Sequence, residues 1–244
     1  MSPLRDFYDE PGVPINSGAD RARRQVAQLR EVLDGSRRRR ILDVGCGDGA
    51  ATALIARRAP GHDVVGLDWS TRALGQAREH GFGLVNGSAE PPGLPFGDAT
   101  FDVVVMSELI EHLVDTDAAL DEARRVLRPG GTLLVSTPNL AAWHNRVLLV
   151  FGVQPVFSEV SLREVHGRPG SQVVGHLRLF TRRALVSLLR ARGFRRITVA
   201  GACYHDVPRP LRPFDRAFRR WPSAASILLA RAERGELPGL VVRS

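Results

Sequence analysis

The segment Ile41-Leu42-Asp43-Val44-Gly45-Cys46-Gly47-Asp48-Gly49 most limits the folds open to this chain. Its apolar start has the length of a strand covered on both faces, and Ala50 to Arg58 is a run of strong helix formers. Glycines at 45, 47 and 49 let the backbone turn sharply between them and let a ligand approach without meeting a Cβ. The same alternation continues downstream. Val64 to Leu67 reads as a second strand, Ser70 to His80 as a capped helix stopped by Gly81, and Leu84-Val85 as a third strand. Phe101 to Met106 is a fourth strand, Ala118 to Leu127 a helix ended by Pro129-Gly130-Gly131, and Thr132 to Ser136 a fifth strand. Such a rhythm predicts an α/β fold with a doubly wound, largely parallel sheet.

Residues 139–180 break the rhythm with a helix (Ala141 to Phe151) and a Gly/Pro-punctuated stretch, so a cap inserted after strand five is expected there. Thr181 to Arg192 then reads as a helix, Arg195 to Ala202 as a sixth strand and Ser226 to Ala230 as the last. The predicted organisation is an N-terminal lid and helical segment over 1–36, a domain over 37–234 and a tail over 235–244. Within the first segment, Val26, Leu29, Val32 and Leu33 recur at helical spacing, and Phe7 and Tyr8 are candidates either to close over a ligand or to anchor the terminus.

Charge enters through its distribution. The 34 basic side chains are all arginine, against 26 acids, for a net +8. Codon bias produces an all-arginine set, so single arginines do not mark phosphate contacts. Residues 178–234 hold 14 Arg and three acids, a local +11, which leaves the remainder at −3. That stretch is read as a solvated face or as a surface for an anionic membrane or acidic ligand. Nucleic acid is not expected, because neither interleaved aromatics nor a known module accompanies the arginines. Arg37 to Arg40 reads as a solvated loop ahead of a buried strand. Two cysteines make no disulfide framework, no apolar run suggests a spanning helix or signal segment, and a reducing cytoplasm is the expected setting.

The chemistry lies in the acids around the glycine turn. Asp68, at the tip of the second strand, is placed to accept both hydroxyls of a ribose. Gly45-x-Gly47-x-x-Ala50 fits a dinucleotide as well as another nucleoside. Asp43 separates the two readings, since a carboxylate so near the turn repels a pyrophosphate and favours an ammonium group. A nucleoside with an amino-acid tail and no phosphate, such as S-adenosylmethionine (SAM), meets both demands, which disfavours an NAD-dependent oxidoreductase.

ILDVGCGDGA, GLDWS, NGSAEPPGLPFGDATFDVVVMSELIEHL and RVLRPGGTLLVSTPN, in this order, resemble the motifs of class I SAM-dependent methyltransferases. The resemblance is to the small-molecule branch that includes ubiquinone-biosynthesis O-methyltransferases, covering residues 38 to 139 closely and Gly175 to Phe194 more loosely. It implies a Rossmann-like seven-stranded sheet in the order 3-2-1-4-5-7-6 with the last strand antiparallel. It also implies a SAM site in which Asp43, Gly45, Cys46, Gly47 and Gly49 cradle the methionine part and Asp68 holds the ribose. Trp69 would pack on the adenine, Ser88 and Ala89 would read its edge (Ser standing where the family has Asp), and Ser107 would lie beside the methyl donor. The activity implied is transfer of a methyl group to a small-molecule acceptor, with a hydroxyl oxygen the first expectation. A non-catalytic SAM-binding accessory protein is the alternative, since TPNLAAWHNR also resembles methionine-biosynthesis proteins.

Methyl transfer from a sulfonium needs alignment and a dry pocket more than it needs acid or base. His112, after strand four, and His176, opening the GHLRLFT segment, are the candidate catalytic residues, with His144 and His166 as weaker cap candidates. Trp143, Val147, Leu148 and Phe151 recur near helical spacing and read as core or as the lining of an apolar acceptor pocket. No His, Cys and carboxylate set has metal-ligand spacing along the chain, so no metal is expected.

Overall fold

The computed structural model describes residues 19–33, 37–205 and 207–236. Seven strands form one sheet in the order β3-β2-β1-β4-β5-β7-β6. They are β1 (Arg40–Val44), β2 (Asp63–Asp68), β3 (Gly83–Asn86), β4 (Phe101–Ser107), β5 (Leu127–Pro138), β6 (Phe194–Ala202) and β7 (Ile227–Arg234). The first five are parallel, and β7 runs antiparallel between β5 and β6. The order and the reversed last strand match the architecture implied by the sequence motifs.

Alternate residues of the central strands face opposite layers, as a period of two requires. Val104 and Met106 of β4, with Leu42 and Val44 of β1, pack towards helix α4 (Thr116–Val126) and helix α6 (Arg182–Ala191). Val103, Val105, Ile41 and Leu134 face the other way, against helices α1 (Ala19–Val32) and α2 (Ala50–Arg58). Helix α1 therefore covers the sheet. Val26 and Leu29 are buried, and each such burial is worth roughly 2 kcal/mol. Phe7 and Tyr8, the lid candidates, lie outside the described residues.

Several boundaries differ from the sequence reading, three of them with a plain physical cause. Strand β5 begins at Leu127, directly after α4, because Arg128 to Gly131 form a bulge: Phe101 pairs with Leu127, and pairing resumes at Val103 with Thr132. Strand β7 runs on to Arg234, since Arg231 and Glu233 occupy its outward positions and find partners in Glu31, Arg195 and Arg196. The helix after β5, here α5, spans Trp143–Val150, starting two residues later than predicted because Asn139 folds Ala141 and Ala142 into a turn. Among the described residues the other α-helices are α3 (Thr71–Ala77) and α7 (Arg212–Phe218).

The arginine blocks are also more structured than solvated faces. Arg37, Arg39 and Arg128 converge on the buried carboxylate of Asp102, which also accepts the Arg40 N–H. Burial alone would raise the Asp102 carboxyl, but the Arg40 N–H and the Arg128 and Arg37 guanidinium groups outweigh it and hold it below its ordinary value. Within 178–234, Arg192 pairs with Asp117 and Asp121, and Arg219 with Asp20. Among the described residues no helix is long and apolar enough to cross a membrane.

Residues 139–180 contribute α5 and then a long stretch without further helix or strand. A parallel bridge between Asn139 and Phe180 joins the two ends of this excursion.

Candidate active site

A cavity of about 1080 Å³ opens where the parallel strands end, lined by Val44 of β1, Asp68 of β2, Asn86 of β3 and Ser107 of β4. Ligands of open α/β sheets bind at this carboxyl edge. The volume lies at the top of the range of about 300–1,000 Å³ usual for one small ligand, which leaves room for a nucleoside and a second molecule.

At the sheet end, Gly45 and Gly47 line the wall with φ of 75° and 55°, a left-handed conformation that suits glycine. A Cβ on Gly45 would sit 2.9 Å from Leu109 Cδ1. Gly47 N–H donates to Asp68 Oδ2 at 2.9 Å, and Ser70 N–H to Asp68 Oδ1 at 2.9 Å, so Asp68 fixes both the glycine turn and the start of α3. Trp69, Ser88 and Ala89 also line this end; the Ser88 hydroxyl accepts the Glu90 N–H, and Ala89 is buried. Ser107 lines the cavity too, but its hydroxyl donates to Gln25 Oε1 of α1 at 2.7 Å.

Asp43, Cys46 and Gly49 are not among the lining residues. Asp43 stands behind the turn, fully buried, accepting the Thr52 hydroxyl at 2.6 Å through Oδ2, while Oδ1 has no hydrogen-bond partner among the described residues. Burial pushes its carboxyl up to about 6, against the Thr52 hydrogen bond and the positive charge of Arg21. Cys46 is buried, its N–H bound to the Leu67 carbonyl, and burial beside Asp43 and Asp68 pushes its thiol well up. Gly49 begins α2, where a Cβ would come within 2.8 Å of both Ala77 and Phe82, so its requirement is helix packing.

The far end gathers the histidines. Nδ1 of His112 lies 3.1 Å from the Gly175 carbonyl, and Nδ1 of His176 lies 3.0 Å from the Phe157 carbonyl. A carbonyl only accepts, so both Nδ1 atoms carry the proton and each Nε2 is the lone-pair nitrogen. The rings face one another at 4.9 Å. Burial holds His112 down at about 3, helped by the neighbouring His176, and holds His176 down at about 4 despite its hydrogen bond to Phe157. Beside them, buried Glu111 accepts the Thr137 hydroxyl through Oε2, while Oε1 lies 4.0 Å from His112 Nε2. Burial and nearby Glu108 raise the Glu111 carboxyl well above its ordinary value.

One ligand atom each from Glu111, His112 and His176 falls within 4.8 Å of the others, a set able to hold a metal ion. The sequence reading missed it because two members are adjacent and the third is 64 positions away. The fold closes that gap when Leu177 and Arg178 donate their N–H groups to the Glu111 carbonyl. His144 also lines the cavity, with Nδ1 at 3.1 Å from Asn145 Oδ1 and Nε2 without a hydrogen-bond partner among the described residues. His166 is more than half exposed, lies near Glu164 and is outside the lining. Trp143, Val147 and Leu148 line the apolar wall, whereas Phe151 is exposed on the outer side of α5. Asp215 of α7 fastens this wall by accepting Trp143 Nε1–H, the Tyr204 N–H and the Ser226 hydroxyl.

Two lining residues carried no sequence signal. Arg21 is one of several arginines on an amphipathic helix, yet it is buried against the cavity and its charge favours the ionised forms of Asp43 and Glu111. Glu108 adopts a φ of 49°, unusual for a residue with a side chain and the kind of strain found at functional sites.

Residues 42–135 match the family described as a methyltransferase domain. That match covers less than half of the chain, and the sheet order and the cavity at the carboxyl ends of the parallel strands agree with a methyltransferase domain there. Over 103 residues this chain is 45% identical to a probable S-adenosylmethionine-dependent methyltransferase of Mycolicibacterium smegmatis, covering 41% of this chain and 38% of the relative. It is 33% identical to a ubiquinone biosynthesis O-methyltransferase of Sinorhizobium medicae, covering 57% of this chain and 53% of that one. The chain thus spans about half or less of the length of these relatives. Among solved structures, a SAM-dependent methyltransferase of Thermotoga maritima, described as a possible histamine N-methyltransferase, superposes with a TM-score of 0.61 at 20% identity over 88% of this chain and 90% of that one. A putative S-adenosylmethionine-dependent methyltransferase of Listeria monocytogenes gives 0.60 at 18% identity over 90% of this chain and all of that one. At such identities the methyltransferase likeness is one of fold.

Proposed function

We propose that this domain binds SAM and transfers its methyl group to a small-molecule hydroxyl. The observation that carries the reading is one continuous cavity, with the glycine turn and Asp68 at one end and Nδ1-pinned histidines at an apolar far end. SAM would set its ribose hydroxyls on Asp68 and its adenine beside Trp69, with Ser88 supplying a hydroxyl at the adenine edge. Arg21 is the cation for the amino-acid carboxylate. Asp43 acts on the ammonium group through its field and through the turn it supports, from behind the wall.

An acceptor oxygen then attacks the methyl carbon in line with the carbon–sulfur bond, which breaks to leave S-adenosylhomocysteine. His112 and His176 are weak bases, and a weak base takes a proton only once the oxygen has become positively charged. Proton removal therefore follows methyl transfer or accompanies its late stage. A divalent cation has one observation of its own in favour, the convergence of one ligand atom each from Glu111, His112 and His176. Such an ion would be held by Glu111, His112 and His176 and would supply Lewis acidity to the acceptor hydroxyl. Chelation followed by metal addition separates the two cases, since turnover that survives chelation leaves the histidines as bases.

The deciding experiment is thermal denaturation with SAM, S-adenosylhomocysteine and NAD, followed by turnover on a panel of hydroxylated aromatic acceptors. SAM and its product should raise the melting temperature, NAD should not, and Asp68→Ala should abolish the effect. An Asp68→Ala protein that keeps the full shift defeats the cofactor assignment.

A further inference from the structure

We infer that Glu159 is a positioning residue for the two histidines, acting through the backbone of residues 174–176. This rests on the proposed function for its consequence in turnover, though not for its geometry. Glu159 belongs to the excursion after β5 and has a side chain only 2% exposed. Four donors converge on its carboxylate. Oε1 accepts from Val174 N–H at 2.8 Å and from Arg168 Nη2 at 2.8 Å. Oε2 accepts from Gly175 N–H at 2.7 Å and His176 N–H at 3.0 Å.

Three successive N–H groups aimed at one point form a concave anion site, and the chain fills it with its own carboxylate. Arg168 balances the buried charge and ties the arrangement to the Gln172 and Pro169 carbonyls. The bound stretch contains the carbonyl of Gly175, which holds His112 Nδ1, and the backbone of His176 itself. Phe157, two residues before Glu159, supplies the carbonyl that holds His176 Nδ1. One carboxylate therefore sets the peptide plane whose carbonyl fixes His112 Nδ1, and holds the backbone of His176 at the place from which its ring reaches the Phe157 carbonyl.

Glutamine is the discriminating substitution. Its amide places an NH2 group against backbone N–H donors, so at least one pair of the four hydrogen bonds is lost. The 174–176 peptides then turn and the Gly175 carbonyl leaves His112. The test records long-range ¹⁵N–¹H correlations of the histidine rings in the wild-type full chain and in Glu159→Gln, alongside thermal denaturation with SAM. In the wild type, His112 and His176 should both show the Nδ1–H tautomer. In Glu159→Gln both should become tautomer mixtures while the SAM-induced melting shift persists. With an acceptor in hand, kcat should fall about tenfold to a hundredfold with KM for SAM unchanged, as for other groups that orient a functional histidine.

A merely structural Glu159 would lower the melting temperature and leave the ring signals of the folded protein as they were; that result overturns the proposal. Should Glu159→Gln fail to fold, the wild-type spectrum still decides, because Nε2–H tautomers at His112 and His176 contradict the geometry on which the proposal stands. An acceptor panel without turnover would count against the proposed function and leave the tautomer result intact.

Discussion

Protonation of the paired histidines should be readable in the stability of the whole domain. In the unfolded chain each titrates near its ordinary value of 6.5, whereas in the fold His112 is held at about 3 and His176 at about 4. Below pH 6.5 the unfolded state therefore binds more protons than the folded state. The contribution is fully present above pH 6.5 and is lost as pH falls towards 4 and then 3. Between pH 8 and pH 5 the loss is about 2 kcal/mol for each histidine, about 4 kcal/mol for both. Asp43 works in the opposite sense: its carboxyl is raised from 3.8 to about 6, so acidification relieves the cost of burying its charge. Comparison with a variant cancels that shared contribution. We expect urea denaturation in chelator-containing buffer to show wild type losing about 4 kcal/mol more than His112→Gln/His176→Gln between pH 8 and pH 5. Parallel stability curves for the two proteins would refute the reasoning, because they would mean that neither ring is kept neutral by the fold.

Other perturbations test separate parts of the structure. Gly45→Ala forces a Cβ against Leu109 in a left-handed backbone; the conformation alone should cost about 1–2 kcal/mol in denaturant titration, and Leu109→Ala should recover only the contact part. Asp215→Ala strands the Trp143, Tyr204 and Ser226 donors and should cost about 2–4 kcal/mol, with a change in tryptophan fluorescence and little effect on the SAM-induced melting shift. Arg21→Met should weaken SAM binding at least tenfold by calorimetry, whereas Arg38→Met, an exposed pair with Asp63, should not change it. Arg209, Arg212, Arg216 and Arg220 are exposed and neighbour exposed Phe214 and Trp221 along the chain. If this surface meets anionic lipid, co-sedimentation with phosphatidylglycerol vesicles should fall as salt rises, and salt-independent absence of binding removes the idea.

What the sequence disclosed follows from the range over which each signal acts. Apart from Asp43 and Asp102, Ile41 to Val44, Val64 to Leu67 and Phe101 to Met106 carry no polar side chain because both faces of those strands are covered, and such runs are visible without knowing their neighbours. The glycine turn was equally plain, since its demands are local. The edges were harder to see. Arg231 and Glu233 resemble loop residues until Glu31, Arg195 and Arg196 are brought beside them. That Asp68 stands in the cavity wall follows from its place at a strand tip. Arg21, Glu159 and the meeting of Glu111 with His176 depend on segments joined only by tertiary contacts. Asp43 shows a finer limit: spacing located it beside the glycine turn, but its burial behind the wall depends on Thr52 and on helix packing.

The bridge between Asn139 and Phe180 has a further consequence. Because the excursion leaves and rejoins the fold at adjacent points, its length and composition can change while the strand register stays fixed. The apolar wall and His176 travel with that segment, whereas the glycine turn and Asp68 do not. Exchange of residues 140–179 between related domains would then act as a cassette swap, replacing the chemistry offered to the acceptor on an unaltered cofactor platform. Such a replacement would have to keep the packing of Phe157 against Ala202, Ile227 and Leu229 and the bond from Trp143 to Asp215, two points at which the segment is tied to the rest of the fold.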